Sequence, residues 1–237
     1  MGSFAYAYKE IVADRPVEYV RIMASYLVLA VLSLLAPLGI VGLISIIASY
    51  GGVQATMVSL ASMILYVLMA HILFSGAYGA LIKALDMQNL YRKSMGLPGM
   101  IDYMMKNAVP LTLVKTVEYA IIAVFAGMIF GASVYLNLLS NTFYLGIAAI
   151  LVIFFVFMTR YLFSMSVISY MKTGKIMGSV SKSFKIAVVK ALYYFPGYII
   201  FCLVLLSLLI PILNLLSVLV LYPMALLALI KEYEKLM

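Results

Sequence analysis

Residues Ile22–Ala48 read IMASYLVLAVLSLLAPLGIVGLISIIA and contain no charged side chain. A helix of about 20 apolar residues crosses the hydrocarbon core of a bilayer, so this stretch predicts a transmembrane helix. Five further strongly apolar stretches follow it along the chain: Val53–Ile82, Leu111–Val134, Thr142–Met171, Ala191–Ile210 and Ile212–Ile230. The sequence therefore predicts an all-α polytopic bundle of six transmembrane helices.

The composition supports lipid as the main solvent of this chain. Of its 237 residues 67% are hydrophobic and only 10% are charged, whereas soluble domains carry about 25% charged residues. No segment is long or polar enough for a separate soluble domain, which predicts one membrane domain over residues 1–237. The N-terminal residues lack the apolar core of a secretory signal, so we expect none to be removed.

The charged residues predict the topology. All 16 Lys and Arg and all 8 Asp and Glu fall on one side of the six-helix pattern, and the connectors Ser49–Gly52, Tyr135–Asn141 and Pro211 carry none. Basic loops stay cytoplasmic during insertion. We therefore expect a multi-pass protein of the cell membrane with both termini cytoplasmic and the lipid bilayer as its surroundings. The lysines form no basic domain with an aromatic platform, so nucleic-acid binding is not expected.

Short amphipathic helices are predicted on the cytoplasmic side, at Thr173–Val188, at Pro98–Asn107 and, less clearly, at Phe4–Val12. Such helices lie in the headgroup plane. They either tie the spans together or dock a cytoplasmic protein partner. In the first of them, Ile176, Val180 and Phe184 share an apolar face with Ala187 and Val188, opposite a polar face of Lys175, Ser179 and Lys182. The candidate docking residues are Ile176, Val180, Phe184, Lys175 and Lys182.

A weak internal repeat links the second and fourth spans. Met69–Ser75 (MAHILFS), followed by Lys83, aligns without gaps to Met158–Ser164 (MTRYLFS), followed by Lys172. A hairpin repeated in parallel would explain the match, and so would chance, because apolar spans draw on few residue types.

Three residues of the predicted spans are candidates for chemistry. His71 is the only histidine, and Arg160 is the only basic residue in the body of a span. Glu118 and Arg160 lie about 20 residues on either side of the outer turn near Ser140, a depth at which two antiparallel helices bring residues together. The sequence predicts an ion pair between them or a snorkelling arginine. The alternative is a substrate or proton pathway.

Templates for catalysis and for cofactor binding are absent from the sequence. There is no phosphate-binding glycine-rich loop followed by Lys and Ser or Thr, no nucleophile elbow and no His-Glu-x-x-His motif. One histidine and one distant cysteine, Cys202, are too few ligands for a zinc site. We expect no enzymatic activity, no cofactor and no metal.

Prolines and small residues predict features of helix shape. Pro37, Pro196 and Pro223 should kink the first, fifth and sixth spans because each lacks a backbone donor. Gly76 and Gly79, with Ser75, form a small-residue patch that should let another helix approach the second span closely.

The stretch Gly178–Lys185 (GSVSKSFK) after a long fourth span resembles a pattern in uncharacterised six-helix membrane families of archaea and bacteria. A related domain precedes some glycerophosphodiester phosphodiesterases, and Ser183 and Phe184 occupy the matching positions. The resemblance covers the span layout of nearly the whole chain. It implies the fold and brings no settled activity. The absence of tryptophan and the frequent Ile, Tyr and Lys are typical of a thermophilic archaeal protein.

Two classes of function fit these features. The first is a non-enzymatic membrane-embedded accessory protein or subunit that organises partners or lipids, or that assembles with copies of itself. The second is a transport protein, either a permease half-unit working with a separate ATPase or a small-solute or proton-coupled carrier using Arg160, Glu118 and His71. Permeases of that size usually have a longer outer segment than the bend at Pro211 provides.

Overall fold

The computed structural model describes residues 2–51, 54–135, 142–189, 191–207 and 211–235. All regular elements in these ranges are helical, which confirms the all-α prediction. The predicted outer connector at 136–141 lies outside the described residues. The α-helices are α1 (Ser3–Tyr8), α2 (Pro16–Tyr50), α3 (Ala55–Tyr91), α4 (Leu97–Tyr135), α5 (Thr142–Thr173), α6 (Ile176–Val189), α7 (Ala191–Ser207), α8 (Pro211–Leu216) and α9 (Tyr222–Glu234), and π-helical turns run over Lys9–Asp14 and Ser217–Leu221.

Among the described residues, four helical stretches are long and apolar enough to cross a membrane: Pro16–Tyr50, Thr56–Tyr91, Leu97–Met128 and Asn214–Glu234. They correspond to the first, second, third and sixth predicted spans. Large apolar side chains such as Leu35 and Ile47 lie exposed on α2, as lipid-facing side chains do. The multi-pass character follows from these helices. Crossing by α5 and α7, the count of six and the cytoplasmic termini stay predictions.

The chain forms two compact units, one of Glu10–Thr112 and one of Met1–Lys9 with Leu113–Met237. In the first unit α2 and α3 pair in antiparallel fashion. The Arg15 guanidinium donates to the backbone oxygen of Gln88 at 3.3 Å, and near the other end of the pair the Ser45 and Ser62 hydroxyl oxygens are 2.6 Å apart. The start of α2 therefore lies beside the end of α3.

The small-residue patch on α3 packs against the first turns of α4. A Cβ atom added at Gly76 would lie 2.9 Å from the Cβ of Ala108 and from the backbone oxygen of Met104. One added at Gly79 would overlap the side chain of Leu111. Glycine permits this approach because it presents no side chain to the neighbouring helix. The predicted close contact on the second span is confirmed.

The predicted boundary between an interfacial helix at Pro98–Asn107 and a span starting at Leu111 is wrong. Helix α4 runs without interruption from Leu97 to Tyr135, with Pro110 inside it. Proline already has a helical φ angle and removes only one donor, which a helix packed in a bundle tolerates. The amphipathic residues of Pro98–Asn107 are therefore the first turns of the third apolar helix.

In the second unit α9 is buried on all sides. Six consecutive residues, Ala225–Ile230, have at most 2% of their surface exposed. A helix that is apolar all round is a core helix. Helix α1, predicted as a weak interfacial helix at Phe4–Val12, packs against α9. There Lys231 Nζ lies 4.9 Å from the centre of the Tyr6 ring, and Lys235 donates to the Ser3 hydroxyl at 3.1 Å.

The sixth predicted span contains a π-helical turn, Ser217–Leu221, directly before Pro223. Proline cannot donate to the carbonyl of residue 219, so the helix widens there, and such widening is a known cause of helix distortion. The kink predicted at Pro223 stays a prediction. Helix α2, in contrast, continues through Pro37 to Tyr50.

Candidate functional site: a buried polar cluster

The centre of the candidate site is the carboxyl group of Glu118 on α4, which is completely buried. The Ser166 hydroxyl on α5 hydrogen-bonds to Glu118 Oε1. Ser166 Oγ also lies 2.6 Å from Ser183 Oγ on α6. Three helices are therefore joined by side-chain hydrogen bonds in a region with no access to solvent.

Further hydroxyl groups extend this network along α5 and α6. Ser183 donates to the backbone oxygen of Ser179 at 2.8 Å, Ser179 donates to that of Lys175 at 2.5 Å, and the oxygens of Ser179 and Thr173 are 3.1 Å apart. Hydroxyls that bond to their own helix can be buried at low cost. We call Glu118, Ser166, Ser183, Ser179 and Thr173 the polar cluster.

Helix α9 closes this region through Tyr233, which is fully buried. Its hydroxyl donates to Ser169 Oγ on α5 at 2.9 Å. The Nζ atoms of Lys172 and Lys182 lie 5.7 Å and 5.4 Å from the centre of its ring, within the range of cation–π attraction. Lys172 also forms an ion pair with Glu234 at 3.5 Å. The ends of α5, α6 and α9 are thus held together by polar as well as apolar contacts.

The number of hydroxyl hydrogens limits what the polar cluster can do. Ser166 has one hydrogen and two neighbours, Glu118 Oε1 and Ser183 Oγ. Ser183 uses its own hydrogen for the backbone of Ser179. The single hydrogen of Ser166 is therefore shared between Glu118 Oε1 and Ser183 Oγ. Within the described residues Glu118 Oε2 has no hydrogen-bond partner. The cluster thus leaves part of a buried carboxyl group without a hydrogen-bond donor.

A lysine accompanies the glutamate on α4. Lys115 lies one turn before Glu118 and is 8% exposed. Its Nζ atom is 5.4 Å from the ring centres of both Tyr119 and Phe163. Aromatic faces attract an ammonium group that has lost part of its water. The buried side of α4 thus carries one acid and one base near each other.

The predicted ion pair between Glu118 and Arg160 is not present in the structure, which describes both residues. Arg160 donates instead to the Tyr222 hydroxyl at 2.8 Å. Glu118 meets Ser166, six residues further along α5 and therefore about 9 Å from the level of Arg160. Counting residues from the outer turn was not accurate enough to predict which residue of α5 lies opposite Glu118 of α4.

Arg160 lies beside an aromatic group formed by α5, α7 and α9. The Tyr161 ring meets the rings of Tyr198 and Phe201 edge to face, with centres 5.4 Å and 5.8 Å apart. Phe201 in turn lies 6.4 Å from Tyr222. Sequence reasoning missed Tyr222 and Tyr233 because tyrosines are frequent in this chain. Only their burial on α9 distinguishes them.

His71 belongs to the other compact unit, Glu10–Thr112, and is partly exposed. Its backbone oxygen accepts a hydrogen bond from Ser75 at 2.8 Å. The residues aligned to them by the internal repeat make the same contact, with Ser164 donating to the Arg160 backbone oxygen at 2.8 Å. The repeat itself stays a prediction.

Helix α6 is present as predicted, after α5 ends at Thr173 and Gly174 follows with φ +67°. Glycine adopts this left-handed conformation without strain. The prediction of its faces is partly wrong. Ser179, placed on the polar face with Lys175 and Lys182, is completely buried, and Val180 of the candidate docking face is only 3% exposed.

The remaining candidate residues of α6 are more accessible. Ile176, Lys182 and Phe184 are partly exposed and Lys175 is exposed. Val180 and the neighbouring serines face the protein because serine hydroxyls bonded to their own helix can pack against α5. The accessible surface of α6 is consequently rotated away from the apolar stripe that the sequence indicates.

Fold and site together define a helical multi-pass membrane protein with a buried carboxyl–hydroxyl cluster. Across the described residues, no group of three or more His, Cys, Asp or Glu side chains could hold a metal ion. Comparison with protein-family models, with curated proteins and with solved structures found no match to this chain. The resemblance to six-helix membrane families stays a prediction.

Proposed function

We propose that this protein is a non-enzymatic, membrane-embedded accessory protein or subunit of the cell membrane, which organises partners or lipids at its basic side. The observation that carries this proposal is that α6 is held firmly against the rest of the protein. Its buried face is held by Ser179 and Ser183 of the polar cluster, while its outer face remains exposed. A short basic helix held in this way suits docking better than catalysis.

The exposed face of α6 is both cationic and apolar. Lys175, Gly178, Ser181 and Lys185 recur at helical spacing and are exposed. Met177 lies among them with 67% of its surface exposed. A flexible apolar side chain between two lysines suits an anionic surface, whether lipid headgroups or an acidic protein segment. Both termini and this helix are proposed to face the cytoplasm, as the distribution of charge predicts.

Reversing the charges of the exposed face of α6 should release the protein partner or anionic lipid that is bound there. The double variant Lys175→Glu and Lys185→Glu is expected to reduce co-purifying partner or bound anionic lipid at least about tenfold, because each basic residue near an anionic surface contributes about 1 kcal/mol. The measurement is native mass spectrometry of protein extracted gently from its own membrane.

The matched control reverses two exposed lysines elsewhere, Lys9→Glu with Lys106→Glu, and should leave the associated components unchanged. Equal losses in the two double variants would mean that only net charge matters. A wild-type protein that carries neither a stoichiometric partner nor anionic lipid would contradict the proposal. A stoichiometric ATPase would instead favour the permease half-unit, which stays a prediction of the sequence.

A proton-coupled carrier is the second candidate, and one observation favours it. Glu118 is a buried carboxyl group whose Oε2 atom has no hydrogen-bond partner among the described residues. Buried ionisable groups in membrane helices often mark proton pathways. For a carrier, Glu118→Gln is expected to abolish proton flux into vesicles that contain the protein, while the fold persists because glutamine can still bond to Ser166. An accessory protein would show no such flux before or after the substitution.

A further inference from the structure

Three of the four arginines in the sequence line a single cleft in the unit Glu10–Thr112. Arg15 precedes α2, Arg21 lies in its second turn and Arg92 directly follows α3. The cleft has a volume of about 390 Å³ and is lined as well by Glu18, Gln88 and Ser94. The lysines, which are the more numerous basic residues, lie elsewhere. Arginine is thus concentrated at one place, the end of the α2–α3 pair that the charge pattern marks as cytoplasmic.

The three guanidinium groups differ in what they already bind. Arg15 is fixed by an ion pair with Glu10 at 3.2 Å and by the backbone oxygen of Gln88 at 3.3 Å. Arg21 and Arg92 are exposed, and neither forms an ion pair with any residue in the described ranges. Two guanidinium groups with unused donors therefore border a cleft that contains one acid, Glu18.

The backbone of Arg92 is strained. Its φ of 52° and ψ of 29° lie in the left-handed region, and it is the one non-glycine residue with a positive φ in the part of the chain that is described. Glycine is the usual residue at such a helix end. A non-glycine residue that is kept in an unfavourable backbone conformation indicates that its side chain has a function.

Gln88 provides a second, independent sign of a ligand. It lines the cleft, it is 2% exposed, and its side-chain oxygen Oε1 has no hydrogen-bond partner. Buried amide oxygens are almost always paired, so an unpaired one at a cleft indicates a missing donor. A hydroxyl group can supply that donor, and a bare phosphate dianion cannot.

We propose that this cleft binds a phosphate ester that carries free hydroxyl groups. Arg21 and Arg92 would each donate to phosphate oxygens, for which the planar guanidinium is well shaped. Gln88 and Glu18 would accept hydrogen bonds from the hydroxyls. This chemistry is shared by the phosphoglycerol headgroup of an anionic lipid and by soluble glycerol phosphate. The inference rests on the proposed function in one respect, that this side of the protein engages anionic groups.

The substitution Arg92→Gly separates binding from folding. Glycine removes the guanidinium and at the same time relieves the backbone, so the thermal stability should stay equal or rise. Affinity for the ligand should fall about tenfold or more, the usual effect of losing a charge-assisted hydrogen bond. Lys93→Ala is the matched control, because it removes one exposed charge at the next position without touching the cleft. It should change the affinity less than about threefold.

The experiment titrates purified protein in neutral detergent with three probes, read by native mass spectrometry and by thermal unfolding. The probes are phosphatidylglycerol, phosphatidylcholine and glycerol 3-phosphate. Binding of phosphatidylglycerol that Arg92→Gly weakens and Lys93→Ala does not supports a lipid headgroup. The same pattern with glycerol 3-phosphate alone supports a soluble phosphate ester. Phosphatidylcholine, which lacks the hydroxyls, should bind at least about tenfold more weakly.

Three results would overturn the site: no binding of either hydroxyl-bearing probe, equal loss in the Arg92 and Lys93 variants, or phosphatidylcholine binding as tightly as phosphatidylglycerol. None of them bears on the exposed face of α6, which the double charge reversal tests separately. Failure of the cleft and failure of the proposed function are therefore distinguishable.

Discussion

Ser166→Ala is expected to lower the free energy of unfolding by about 2 kcal/mol, the cost of leaving a buried carboxyl group without its hydrogen-bond donor. Ser166 is the residue that bonds to Glu118, and the second carboxyl oxygen already has no partner in the described structure. Removal of the hydroxyl therefore isolates the whole carboxyl group in the protein interior, where polar groups are expensive.

Glu118→Leu should cost less, about 1 kcal/mol or below. Ser166 keeps an acceptor in that variant, because Ser183 Oγ lies 2.6 Å away. The double variant Glu118→Leu with Ser166→Ala should recover most of the loss seen in Ser166→Ala, since replacing both partners leaves no unpaired group. A double-mutant cycle of this kind isolates the interaction between the two side chains.

The measurement is equilibrium unfolding in mixed micelles, for the wild type, both single variants and the double variant. The matched control is Ser49→Ala, because Ser49 is exposed and donates to the backbone of Ser45 in its own helix. It should change stability by less than about 0.5 kcal/mol. If Ser166→Ala is as mild as Ser49→Ala, the polar cluster does not stabilise the bundle.

Gly76→Ala is expected to destabilise the protein by about 2 kcal/mol through overpacking. The new Cβ would lie 2.9 Å from the Cβ of Ala108 and from the backbone oxygen of Met104. Neither atom can move without a shift of α4. The gain in helix propensity from glycine to alanine, about 1 kcal/mol, is too small to offset this shift.

Gly79→Ala should be nearly neutral, although its Cβ would overlap the Leu111 side chain more closely. The overlapping atom is a terminal methyl carbon, and the Cγ atom of Leu111 stays 3.5 Å away. Rotation of that side chain removes the clash, and the gain in helix propensity offsets the remaining strain. The two substitutions thus test whether backbone contact or side-chain contact limits the approach of α4.

Thermal unfolding in detergent of Gly76→Ala, Gly79→Ala and the control Gly42→Ala compares these cases. Gly42 lies on α2 with no atom near the position of a Cβ, so its substitution should be harmless or slightly stabilising. Equal stability of the Gly76 and Gly79 variants would show that α3 and α4 adjust freely at their contact.

The helical class, four of the apolar helices and the small-residue patch on α3 were all predictable from the sequence. They depend on local properties: the length of each apolar run and the absence of a side chain at Gly76 and Gly79. The break expected between Asn107 and Leu111 is wrong because α4 continues from Leu97 to Tyr135, with Pro110 inside it. Local rules alone do not say when neighbouring helices compensate a missing donor.

The partners of the polar side chains were less predictable. The sequence singles out Glu118 and Arg160, yet each bonds to a residue other than the one expected, Ser166 and Tyr222 respectively. An error of six residues in helix register displaces a contact by about 9 Å. Residue counts from a loop do not reach that accuracy, because the lengths of turns and the π-helical widening of a span are not visible in the sequence.

The sequence by itself determined that this chain forms long apolar helices, because the length and apolarity of each segment are local properties. Only the tertiary structure decided which face of α6 is buried, which hydroxyl meets Glu118 and that Arg15, Arg21 and Arg92 share one cleft. These arrangements depend on the rotation and register of one helix against another, and packing between distant residues sets both.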